Sequence, residues 1–186
     1  LNMNTGLLTI AFTETVRAST LNVTGLTLQS STDIGTQQGV LSHRLTGGSS
    51  SSQDSTVVFI NITTADMNEI KRKKIARDTS TTVLVMDDSA VLDMAGFKVV
   101  ALVNQGTAKP VRTYTVDSTR PVLVSYNMNL TAETITMTFS ETVLSSSLNV
   151  SQITLQNRNN RSSSEEHTLQ TTSSSSTSAD GTSIVI

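Results

Sequence analysis

Leu8–Gln29 reads LTIAFTETVRASTLNVTGLTLQ, and Ile135–Gln156 reads ITMTFSETVLSSSLNVSQITLQ. The two stretches align without a gap at an offset of 127 and agree at 12 of 22 positions. In each, apolar residues alternate with threonine and other small residues: Leu8, Ile10 and Phe12 in the first, Ile135, Met137 and Phe139 in the second. A period of two is the mark of a half-buried strand. The likeness extends outward. Asn2-Met3-Asn4 matches Asn127-Met128-Asn129 with two additional residues in the second copy, and Asp54–Ile60 matches Asp180–Ile186. The period is therefore about 126 residues, and the chain holds about one and a half repeats. This arithmetic favours a window on a longer tandem array over copies that supply missing strands to one another in trans. Residues 117–186 are not expected to be stable alone, because a half-sandwich leaves a core face bare.

Composition supports strands and narrows the function. Of 186 residues, about 31% are Ser or Thr, 15% are charged and 3% are aromatic. β-Branched threonine suits a pleated surface. With 13 basic and 15 acidic residues there is no charge surplus to draw nucleic acid or an anionic membrane. No apolar run approaches the roughly 20 residues of a membrane-spanning helix, so no direct membrane insertion of this segment is expected. Cysteine is absent, which removes disulfide and thiol chemistry.

Further strands are expected at Leu26–Leu28 and its counterpart Ile153–Leu155, at Val57–Ile62 (apolar on both faces, hence central), and at Thr81–Met86, Val111–Val116 and Val122–Tyr126. One helix is expected from Thr64 to about Ala76, started by Thr63 and Asp66, with Met67, Ile70, Lys74 and Ile75 turned inward. Short strands separated by turns indicate an all-β sandwich with one short helix in the complete repeat. The serine-rich stretches 47–53, 157–165 and 171–179 read as loops outside the core. Pro121, which cannot donate to a ladder, suits a junction. It divides the chain into domain 1–116, lacking its first strand, and 117–186, the N-terminal half of a second repeat.

Motifs for chemistry are missing: there is no G-x-S-x-G, phosphate loop or H-E-x-x-H. His43 and His167 fall at corresponding places and read as solvent-facing strand residues. Lys71–Lys74 reads as a solvated helix face, with an anionic-glycan contact as the alternative; no aromatic residues interleave it, so nucleic acid is not expected. No enzyme is expected. Sequons stand at Asn22, Asn61, Asn129, Asn149 and Asn160, candidates for N-glycosylation of an extracellular protein.

Three features together resemble bacterial-type Ig-like domains of the kind found in S-layer proteins, which also occur in tandem-repeat surface proteins of algae and other protists. The first is Phe-(Ser/Thr)-Glu-x-Val after an alternating strand, here Phe12–Val16 and Phe139–Val143. The second is Asp93-Met94-Ala95-Gly96. The third is the Asp-x-Thr-x-Pro junction at Asp117, Thr119 and Pro121. The family's usual proline after the motif glutamate is Thr15 and Thr142 here, and its usual asparagine after the glycine is Phe97. The resemblance implies tandem Ig-like β-sandwich domains in an extracellular or cell-surface array: a spacer, filament or adhesive appendage rather than a catalyst. Its expected partners are neighbouring repeats of the same polypeptide and other copies in a filament or surface layer. Traced as such a sandwich, Glu14 and Asp93 fall where the linker enters domain 1, and Asp117 and Glu141 where it enters domain 2. Carboxylates converging at a junction are candidates for Ca²⁺. The alternative function is a glycan- or protein-binding receptor module. That would need exposed aromatics gathered in loops, and the two Tyr and four Phe stand mostly at apparent core positions.

Overall fold

Alternation in the opening segment becomes β1 (Leu7–Val16), which pairs antiparallel with β5 (Ser55–Ile62): Leu8 lies opposite Ile60 and Ile10 opposite Val58. The computed structural model describes residues 1–32, 41–50, 53–159, 165–171, 176 and 178–186. The chain divides into two units, Leu1–Arg120 and Pro121–Ile186. Residues 117–119 belong to the first through side-chain bonds. Ser118 N and Thr119 Oγ1 donate to Asn4 Oδ1, and Asp117 pairs with Lys71.

In the first unit, β4 (Gly48–Ser49), β5 and β1 form a three-stranded sheet with β5 at its centre. A second sheet runs β3-β2-β6-β7, from Ser42–Arg44, Leu26–Gln29, Val83–Met86 and Lys109–Pro110. Both sheets feed one buried cluster: Leu8, Ile10, Val58 and Ile60 from one, Leu26, Leu28 and Met86 from the other. The second unit holds β8 (Leu123–Asn129), β9 (Thr134–Val143) and β12 (Gly181–Val185) in the order β12-β9-β8, and a hairpin of β10 (Thr154–Gln156) with β11 (Glu166–Thr168). Among the described residues the fold is thus antiparallel β with one short α-helix. No described helix is long and apolar enough to cross a membrane.

Several expectations are corrected. The helix, α1, is Thr64–Arg72 and stops short of Ala76. Lys74 sits at φ 56°, Ile75 N donates to Ile70 O and Lys74 N to Lys71 O. This is a Schellman stop with lysine in the position glycine usually takes. Its apolar contact is Ile75, buried like Ile70, whereas Lys74 is exposed. The strand expected at 111–116 is instead the short β7 at Lys109–Pro110, with a single parallel bridge from Thr115 to Asn2. The proline is tolerated because β7 is an edge strand. The serine-rich stretch 47–53 contributes β4. Residues 51–52, 160–164, 172–175 and 177 lie outside the described residues, and the sequon at Asn160 is among them. β5 is apolar on both faces in sequence but not in burial, since Ile60 is fully buried and Phe59 is 47% exposed.

Candidate functional site

The two copies repeat their polar geometry as well as their strands. Asn2 Oδ1 accepts from Asn4 N and Thr5 N, and Asn129 Oδ1 accepts from Thr131 N and Ala132 N. Gly6 at φ 70° and Glu133 at φ 53° hold the same place in the two turns. Asn2 therefore corresponds to Asn129, the offset of 127 continues through the turn, and the two additional residues inferred from sequence vanish. Asp54 Oδ1 accepts from Ala18 N at 2.8 Å, and Asp180 Oδ1 from Ser145 N at 3.0 Å. The Phe-x-Glu-x-Val motif lies where the register shifts in both copies, between Ala11 and Val16 and between residues 138 and 143. A bulge re-aims the side chains of its strand, which gives the motif a structural role.

Asn22 and Asn149 each cap a 3₁₀ turn. Their Oδ1 atoms accept from the sequon hydroxyls, Thr24 Oγ1 at 2.7 Å and Ser151 Oγ at 2.6 Å. Asn22, Asn61, Asn129 and Asn149 are all exposed. The acidic residues are placed less simply. Val16 bridges Asp93, so Glu14 and Asp93 come to one end of the first unit. Asp93 Oδ1 accepts from Phe97 N at 2.7 Å, and Asp117 is paired with Lys71 at 2.9 Å. Glu14 is exposed, whereas Glu141, its counterpart, is buried. No group of three or more His, Cys, Asp or Glu that could hold a metal occurs among the described residues. Ca²⁺ takes six to eight oxygens, more than Glu14 and Asp93 supply by themselves.

His43 corrects another expectation: it is 8% exposed, and its Nε2 lies 2.8 Å from Oδ1 of Asp66, itself 1% exposed. Asp66 also accepts from Thr46 N, Thr46 Oγ1 and Thr63 Oγ1, while Thr63 Oγ1 caps α1 by accepting from Asp66 N. Burial pushes the Asp66 carboxyl up, but the bonds from His43, Thr63 and Thr46 outweigh it, and its pKa lies below the ordinary value. The arrangement is a buried helix start tied to β3. Three residues of the basic cluster have local partners, while Arg72 and Lys74 are exposed. Lys71 pairs with Asp117, Arg72 with Glu69, and Lys73 Nζ donates to Ser42 O. His167 is exposed on β11, as expected.

An open apolar groove of about 960 Å³ lies in the first unit. β1 forms one wall with Ile10 and Phe12, and Leu84, Val99, Leu102 and Val111 form the other. The sequence placed Phe12 in the core; it is half-buried because it lines this groove, and Phe139 is half-buried too. None of the four Phe is fully buried, and Phe97, at the groove, is 71% exposed. The sequence carried no signal for the groove, which arises from the spacing of two sheets. Comparison with family models, with curated proteins and with solved structures gives no match.

Proposed function

We propose that this chain is a non-enzymatic segment of an extracellular tandem array of Ig-like β-sandwich repeats, serving as a spacer, filament or adhesive surface structure. The observation that carries the reading is the repetition itself. Turn caps, bulge and aspartate clamp recur at matched positions in both units. Repetition of local scaffolding suits a load-bearing series of like modules. Neighbouring repeats of the same polypeptide are its first partners, and exposed sequons suit a glycoprotein.

Antibody against residues 1–120 is expected to label intact cells. Labelling only after permeabilisation would refute an extracellular home. A receptor module is the second reading, and the exposed Phe97 beside an apolar groove favours it. On a glycan and peptide array, that reading expects saturable binding that Phe97→Ala abolishes; the spacer reading expects none.

A further inference from the structure

We propose that the groove beside β1 is a strand acceptor, filled by an extended segment of the β8 type that serves as the opening strand of unit 1's own repeat in a tandem array. The choice of the repeat's own opening strand rests on the array reading above; the strand-acceptor geometry does not.

Unit 2 displays what unit 1 leaves open. There β8 pairs antiparallel with β9, with Leu123 opposite Phe139, Tyr126 opposite Met137 and Met128 opposite Ile135. Subtracting the offset of 127 maps these partners onto Phe12, Ile10 and Leu8 of β1. In unit 1 only the last part of that strand is represented. Asn2 bridges Leu7 on one side and Thr115 on the other, and Leu1 N and Met3 N donate to Thr113 O and Thr115 O. Beyond it β1 is a sheet edge. Leu7 O accepts from Asn2 N, toward that edge. Backbone groups alternate in direction along an antiparallel strand, so Thr9 and Ala11 turn theirs to the same open edge.

The groove fits a strand in shape and in chemistry. It runs along this edge, bounded by β1 and by residues 109–113, so an incoming strand would continue Leu1–Asn2 antiparallel to β1 and parallel to the segment ending at Thr115. Cross-strand partners share a face. A segment with the sequence of Pro121–Asn127 would set its leucine beside Phe12 and its tyrosine beside Ile10, both groove residues, and leave serine and asparagine outward. In unit 2 those apolar side chains find no such cover: every residue of β8 is exposed. Backbone bonds to an edge supply affinity in strand addition, and alternate side chains supply specificity.

The test joins the seven residues PVLVSYN, copied from 121–127, directly ahead of Leu1 in the full chain. The fusion should melt higher than the parent. Exchange of the Thr9 and Ala11 amides should slow about tenfold, the factor that 1.4 kcal/mol of local stability gives. A Gly-Ser extension of equal length should change neither. Replacing the added leucine and tyrosine with Asp should remove the gain without touching the parent fold. Ala11→Pro should do the same, since the donor it deletes faces away from β5. Unchanged exchange in the fusion, or an equal gain from Gly-Ser, would overturn the acceptor. Self-association of the parent chain that protects Thr9 and Ala11 would give the groove to a second copy and overturn the assignment to the repeat's own opening strand. Electron microscopy of the native protein tests the array itself, so slowed exchange without a regular particle period would overturn only the choice of the repeat's own opening strand and leave the strand acceptor standing.

Discussion

Asp66 ties three residues of unit 1 together: His43, Thr46 and the cap Thr63. Asp66→Ala would leave the buried His43 and the half-buried Thr63 without this acceptor and should cost about 3 kcal/mol in denaturant unfolding. Its pH dependence has a definite sign. A carboxyl whose folded pKa is depressed stabilises the fold above its unfolded value, ordinarily 3.8, and that contribution is lost as pH falls through the folded value. The wild type should therefore lose stability on acidification below pH 3.8 more steeply than Asp66→Asn, as measured by melts across the acid range. The helix-starting pair Thr63 and Asp66 was legible from sequence, because cap spacing is local. The burial of His43 was not, because it depends on α1 packing beside β3, which no neighbouring residue announces. At the same scale, millimolar Ca²⁺ should leave the melting temperature unchanged, and a rise that Glu14→Gln or Glu141→Gln removes would contradict the geometry of the carboxylates.

Among the elements, the long alternating strands were the most readable: β1, β9 and the central β5 declared themselves through period-two patterns and the repeat. Which face of β5 is inward was not readable, since Val57 and Phe59 are as apolar as Val58 and Ile60. The structure resolves it. Ile60→Ala should cost about 2–5 kcal/mol as a buried truncation, and Phe59→Ala, on the exposed face, about 0.5 kcal/mol or less. Comparable losses at both would mean that β5 is covered on both sides. The end of α1 was hidden for a different reason. A helix stop is usually signalled by glycine, and here Lys74 takes the left-handed position at a steric cost of about 1–2 kcal/mol. Lys74→Gly should accordingly raise stability by about 1 kcal/mol in chemical denaturation, the larger entropy of glycine in the unfolded chain offsetting part of the relief. β7 escaped notice because a two-residue edge containing proline has no periodicity to read.

At the scale of the whole molecule, the two units differ in how much they bury. Unit 1 gathers its apolar residues from two sheets and a helix. In unit 2 the buried apolar side chains among the described residues are Met137, Val150 and Ile184. Residues 1–120 should unfold cooperatively alone, while 121–186 alone should be protease-sensitive, without a cooperative transition. A sharp transition from isolated 121–186 would show that a half-repeat suffices. The repeat itself was plain in the sequence to the residue, apart from the turn at Asn2, where matching Asn-Met-Asn triplets by identity concealed the alignment that the turn geometry supplies. The measurement closest to the central claim is electron microscopy of the native protein released from its source. A tandem array of these modules predicts a linear particle with regular beads, each accounting for about 126 residues of mass. A single globular particle without a period would contradict it.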